Sequence, residues 1–185
     1  MTSTLILGGA RSGKSRLAQT LAQDSGLTPA LIATAQALDE EMAARIARHR
    51  AERDARWVVV EEPLDRVEAL AREASAARLV VVDCLTLWLS NLMHAGRDPA
   101  REGERLAAAL AAPPGPVIFV SNEVGLGLVP ETALGRDFRD AQGRLNQTMA
   151  QSCARVQFVA AGLPITLKND AAPAPAPFDW TARER

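Results

Sequence analysis

Short runs of aliphatic and β-branched residues recur along the chain, separated by longer stretches in which apolar positions return every three or four residues. The short runs predict strands at Thr4–Leu7, Ala30–Ala33, Trp57–Val60, Leu79–Val82, Val117–Val120, Val156–Ala160 and Pro164–Leu167. The longer stretches predict helices at Lys14–Gln23, Asp39–Arg53, Leu64–Ala74, Leu85–His94, Pro99–Ala111 and Arg136–Ser152. Runs such as Leu79-Val80-Val81-Val82 are apolar at every position, the pattern of a strand covered on both faces. Strand and helix alternate, which points to an α/β fold with a mainly parallel sheet flanked by helices and a ligand at the carboxyl ends of its strands. The last two strands lie close together in sequence, which allows an antiparallel hairpin at one edge.

Composition narrows the class. The chain has 185 residues, 48% hydrophobic and 23% charged, with a net charge of −1. That suits one globular domain and carries no global electrostatic footprint for nucleic acid or an acidic membrane. We place a single nucleotide-binding catalytic domain at residues 1–168. The Pro/Ala-rich remainder, 169–185, holds too little apolar bulk to fold alone and reads as a tail. Cys84 and Cys153 form no metal-ligand pattern, and Cys84, beside an apolar strand, reads as a small core residue. The N-terminal apolar run stops at glycines after a few residues, so no secretory signal is expected. No apolar stretch reaches the roughly 20 residues of a membrane span, and a cytoplasmic location is expected.

Four segments carry candidate chemistry. Gly8-Gly9-Ala10-Arg11-Ser12-Gly13-Lys14-Ser15 fits G-x-x-x-x-G-K-[ST], between the first strand and the first helix. Glycines let backbone N–H groups converge on one hollow, and the helix adds its positive end, so the segment reads as a triphosphate loop. Lys14 would reach the β- and γ-phosphates and Ser15 would hold magnesium. Together with the alternation above, this implies a P-loop NTPase, RecA-like in type. Asp83, ending an apolar strand, is the candidate partner of Ser15 on magnesium; its alternative reading is an N-cap of the next helix. On the helix Asp39–Arg53, Arg45, His49 and Arg53 recur every four residues, so His49 sits among cations that favour a neutral imidazole. Such a ring could attack phosphorus, although on residue patterns alone a solvated charged face is the better reading. The segment Val120–Glu131 should give a loop on the ligand side, followed by Arg136, Arg139, Asp140, Arg144, Asn146 and Gln147 at helical spacing, a series that also reads as a solvated helix face. His94 has no comparable setting.

Taken in order over residues 4–168, these stretches resemble the bifunctional adenosylcobinamide kinase/adenosylcobinamide-phosphate guanylyltransferase family of cobalamin biosynthesis. The resemblance rests on Gly8–Ser15, Ala33-Thr34-Ala35, Asp39–Ile46 leading to His49-Arg50, and Trp57 with Glu61. It continues through Asp83–Thr86 with Asn91, Ser121–Gly125, Phe138–Asp140, Gly143-Arg144 with Asn146-Gln147, and Ala161–Pro164. It implies that ATP or GTP phosphorylates adenosylcobinamide. GMP then passes from GTP through a guanylyl group on His49, giving adenosylcobinamide-GDP and pyrophosphate. It further implies nucleotide contacts from Ala33, Thr34, Ala35, Arg50, Ala51, Glu52, Arg53, Glu61 and Asp83, with Glu61 toward a guanine edge, and a homotrimer. The Pro-Ala tail departs from the family core. Competing readings are a P-loop small-molecule kinase without guanylyl transfer and a nucleotide-dependent regulatory switch.

Overall fold

A computed structural model describes residues 3–34, 40 and 54–170. The strands are β1 (Ser3–Gly8), β2 (Thr28–Ala33), β3 (Val58–Glu61), β4 (Arg78–Asp83), β5 (Val117–Asn122), β6 (Arg155–Ala160) and β7 (Leu163–Asn169). The helices are α1 (Lys14–Asp24), α2 (Arg66–Glu73), α3 (Leu85–His94), α4 (Pro99–Ala109) and α5 (Ala133–Ser152). The helix expected over Asp39–Arg53 lies outside the described residues, apart from Glu40, and so does the tail from residue 171 onward.

The seven strands form one sheet in the order β3-β2-β4-β5-β1-β6-β7. All neighbours pair in parallel except β6 and β7. The mainly parallel sheet and its antiparallel edge hairpin therefore match the expectation. That hairpin turns on Ala161 and Gly162, at φ 52° and 81°. Positive φ at both positions is what a two-residue hairpin turn requires.

Alternate residues of each central strand serve opposite faces. Leu5, Leu7, Val80, Val82, Val117 and Phe119 pack with Leu70, Leu85, Trp88, Leu89, Leu106 and Met149 from α2 to α5. Ile6, Val81, Ile118 and Val120 pack with Ala18 and Ala22 of α1 and with Trp57. Each fully buried Leu, Ile or Phe contributes about 1.5–3 kcal/mol, so the strands most apolar in sequence are the ones that hold the sheet centre rigid.

Several boundaries move for local reasons. Helix α5 starts at Ala133, ahead of the expected Arg136, because Thr132 caps it by accepting from the Gly135 amide at 3.1 Å. Helix α4 is capped by Asp98, which accepts from the amides of Ala100 and Arg101. Trp57 precedes β3 instead of opening it, with its indole buried. β7 reaches Asn169, one residue past the expected end of the domain. Its Leu163, Ile165 and Leu167 are exposed at alternate positions.

Candidate functional site

The site begins where β1 stops. Gly8 is the last residue of the strand, and Gly13 caps the N-terminus of α1 in the left-handed region, at φ 99°. Between them the chain curls, with the Ser12 amide donating to the Gly9 carbonyl at 3.3 Å. The first-turn amides of α1 have no intrahelical acceptor, and no side chain caps this end. A helix end of this kind, opening from a glycine loop, is an anion site. Lys14 is buried, and its Nζ donates to Gly9 O at 2.9 Å, so its ammonium lies against the curl of its own loop.

The loop is shaped from outside as well as by its own sequence. A Cβ on Gly8 would lie 2.5 Å from the Val159 carbonyl oxygen and 2.6 Å from Ser12 Oγ. A Cβ on Gly13 would lie 3.2 Å from Gly162 Cα. The Gly162 amide donates to Ser12 O at 2.8 Å. The tip of the β6–β7 hairpin thus buttresses the phosphate loop from a distant part of the sequence.

Register places the remaining described candidates along one edge. Ala33 pairs with Asp83 on one side and with Glu61 on the other, while Gly8 pairs with Asn122. Strands lie about 4.8 Å apart, so Asp83, two strands from β1, stands about 10 Å across the sheet from the loop. Glu61, four strands away, stands about 19 Å from it. Asp83 does not cap the following helix: it remains in β4, and Cys84 holds the cap position of α3. Neither its carboxylate nor the Ser15 hydroxyl bonds to another described residue. These are hard oxygen donors of the kind magnesium takes alongside phosphate oxygens.

Thr34 is fully buried, and its polar groups are used inside the protein. Its Oγ1 accepts from the Cys84 amide at 2.9 Å and donates toward the carbonyls of Cys84 and Asp83, at 3.0 and 3.2 Å. Its own amide donates to Asp83 O, and its carbonyl accepts from Asn91 Nδ2 at 3.0 Å. In this geometry Thr34 clamps the corner that presents Asp83. The Cys84 thiol is pushed up to about 11, first by burial and then by the charge of Asp83. That agrees with a core residue and not a nucleophile.

β5 stands between β1 and β4, and its end is tightly held. The Ser121 hydroxyl donates to Asn146 Oδ1 at 2.7 Å, and Gln142 Nε2 donates to both groups, at 3.0 and 2.9 Å. Asn146 Nδ2 donates to Asn122 O, and the Asn122 amide donates to Thr86 Oγ1. The next amide, of Glu123, donates to Gly8 O at 3.1 Å. Sequence reasoning located this segment but not its internal bonding; Gln142 and Asn146 are polar residues on a helix, and only packing shows that they are buried. Of the arginine series, Arg136 fixes the carbonyls of Pro130 and Glu131, and Arg139 pairs with Asp140 at 3.1 Å. His94 bonds to the Ser90 carbonyl within its own helix. Ala35, His49, Arg50, Ala51, Glu52 and Arg53 lie outside the described residues.

Comparison with known proteins places this geometry. A model of the family "Cobinamide kinase / cobinamide phosphate guanyltransferase" matches residues 4–167. The chain belongs to that family. It is therefore an enzyme of the cobinamide kinase/guanyltransferase family, as the resemblance implied. It is 55% identical over 169 residues to the bifunctional adenosylcobalamin biosynthesis protein CobP of Pseudomonas aeruginosa, covering 90% of this chain and 97% of that one. It is 38% identical over 179 residues to the bifunctional adenosylcobalamin biosynthesis protein CobU of Escherichia coli, covering 89% and 98%. Among solved structures, an ATPase domain superposes with a TM-score of 0.54 at 13% identity, covering 93% of this chain and 78% of that one. A protein of Pyrococcus horikoshii, PH0250, gives 0.55 at 9% identity, covering 91% and 86%. These two likenesses speak to the fold, which is that of the P-loop NTPases.

Proposed function

We propose that this member of the cobinamide kinase/guanyltransferase family carries out both reactions on adenosylcobinamide. In the first, the hydroxyl oxygen of the aminopropanol arm attacks the γ-phosphorus of ATP or GTP. The bond from that phosphorus to the bridging oxygen breaks, and the nucleoside diphosphate leaves. The loop amides of Gly8, Gly9, Ala10, Arg11, Ser12 and Gly13, with Lys14, hold the charge that moves onto the phosphate oxygens. Ser15 and Asp83 would hold magnesium, which neutralises part of that charge when bound. In the second reaction, a ring nitrogen of His49 attacks the α-phosphorus of GTP and expels pyrophosphate. A phosphate oxygen of adenosylcobinamide phosphate then attacks the same phosphorus, the P–N bond breaks, and adenosylcobinamide-GDP forms.

One observation carries the reading: an anion cup with a buried lysine folded against it, at the strand edge that also presents Asp83. The nucleotide is assigned Ala33, Thr34, Ala35, Arg50, Ala51, Glu52, Arg53, Glu61 and Asp83, with Thr34 acting through the Asp83 corner. The wide spacing of Glu61 from the loop suits a partner for the base and not for the phosphates. We assign the homotrimer that the resemblance implies; the exposed aliphatic row on β7 supports subunit contact, because contiguous apolar surface favours association, and does not itself set the number of copies. No helix of the described residues is long and apolar enough to cross a membrane, and we assign the enzyme to the cytoplasm. The catalytic domain, expected at residues 1–168, is taken to run on through Asn169, where β7 ends, with the remainder of the expected 169–185 as its tail.

The test of the histidine is direct. GTP labelled at the α-phosphate should leave an acid-labile, alkali-stable label on the protein, and His49→Ala should abolish it. Label that persists in the variant removes His49 from this role. Mass spectrometry of adenosylcobinamide incubated with GTP, magnesium and the enzyme should show phosphate and then GDP added. The single addition of phosphate would favour a kinase without guanylyl transfer.

A further inference from the structure

We propose that Glu123 is the general base of the phosphorylation step. Its carboxylate would accept the proton of the acceptor hydroxyl as that oxygen attacks the γ-phosphorus. The inference rests on the kinase reading above and is independent of His49.

Position comes first. Glu123 is the residue immediately after β5, and its amide donates to the carbonyl of Gly8, which opens the phosphate loop. No other described carboxylate is bonded through its own backbone to that loop. β5 lies between the strand that carries the loop and the strand that ends in Asp83. Along the carboxyl edge the end of β5 therefore lies between the loop and the Asp83 corner. We place the acceptor hydroxyl there, for in-line attack on the γ-phosphorus.

The carboxylate is also held in place. Glu123 Oε1 accepts from the Gly125 amide, and a Cβ on Gly125 would lie 2.9 Å from that oxygen, so the glycine leaves room for the contact. The second carboxylate oxygen makes no hydrogen bond to a described residue and can receive a proton. Beneath it, Ser121 and Asn122 are bonded to Thr86, Gln142 and Asn146, so the backbone that carries Glu123 is fixed on a built shelf. A base must be within hydrogen-bond reach of its proton and fixed there. Asp83 is less suited to the task, because a carboxylate on magnesium gives up its basicity to the metal.

Proton transfer balances the step. The O–H bond of the acceptor breaks, its proton goes to the free oxygen of Glu123, and its electron pair forms the new P–O bond. The nucleoside diphosphate leaves, and the proton passes to solvent after release. The first half of guanylyl transfer uses GTP alone and has no acceptor hydroxyl to deprotonate, so Glu123 has no part in it.

Glu123→Gln tests this, because the amide oxygen still accepts from Gly125 while basicity is lost. With adenosylcobinamide, ATP and magnesium, kcat of phosphorylation should fall about a hundredfold or more. ATP affinity and the guanylyl label from GTP alone should stay within about twofold of the parent, with the thermal midpoint unchanged. Glu123→Asp should recover part of the rate. A kcat within about threefold of the parent overturns the proposal. So does a parallel loss of phosphorylation, labelling and ATP affinity, which would make Glu123 a structural prop. A parent enzyme that labels His49 but never phosphorylates adenosylcobinamide would overturn both this inference and the kinase reading.

Discussion

Three strands lead to a carboxylate at the carboxyl edge of the sheet, Glu61 at the end of β3, Asp83 at the end of β4 and Glu123 just after β5, and the last two bear on the phosphorylation step. The structure separates them. Asp83 ends β4, two strands from β1, at a corner held by the buried hydroxyl of Thr34. Glu123 follows β5, directly beside β1, with its amide on the first glycine of the phosphate loop. In the proposed reaction the farther acid reaches the phosphates through a cation, and the nearer one meets the acceptor hydroxyl. On that proposal, distance from β1, set by strand order, separates the metal ligand from the base.

The largest expected effect that sharpens this contrast is at Asp83. Asp83→Asn should lower phosphorylation about a thousandfold, the scale of losing a principal group that stabilises transition-state charge. Its apparent magnesium requirement should also rise. Glu123→Gln comes second, and its magnesium requirement should match that of the parent. If titration with magnesium gives both variants the same displacement, the division of labour between the two acids is wrong.

Third is the hairpin tip. Gly162→Ala forces a side chain into a left-handed conformation that alanine resists, at about 1 kcal/mol, and disturbs the 2.8 Å bond to Ser12. Nucleotide KM should rise about tenfold, corresponding to about 1.4 kcal/mol, on top of the drop in melting temperature. Gly96→Ala is the control: Gly96 has a φ of 66° with no atom near its would-be Cβ, so it should lose stability without losing nucleotide affinity. Equal KM effects in both would show that the buttress is only a matter of stability. The smallest effect is at Thr34. Thr34→Val leaves the Cys84 amide without its acceptor and should cost about 1–3 kcal/mol in a denaturant titration. It should raise the magnesium requirement a few-fold and leave any Glu123-dependent pH profile unchanged.

Much of this is legible in the residues. The span Gly8–Ser15 declares itself because anion capture by backbone amides needs glycines, a lysine and a hydroxyl at set offsets. The central strands are visible because full burial on both faces leaves no room for polar positions, as in Leu79–Val82. Other features give no such signal. Thr132 caps α5, yet the polar series that follows it reads as starting at Arg136. Gln142 and Asn146 look like solvated helix residues, and only the approach of Ser121 shows that they are buried. The family resemblance alone makes Thr34 a nucleotide contact, and only the fold reveals its hydroxyl on the Cys84 corner.

By itself, then, the amino-acid sequence determined the alternation of elements and the phosphate-binding turn, because each depends on residues near one another along the chain, and the family, because a series of such short motifs follows in order over residues 4–167. Tertiary structure alone decided the strand order, the hairpin tip against Ser12, and which of two similar acids stands next to the loop. Those depend on pairing between segments far apart in sequence. Pairing of that kind is chosen by the packing of the whole sheet and leaves no local pattern to read.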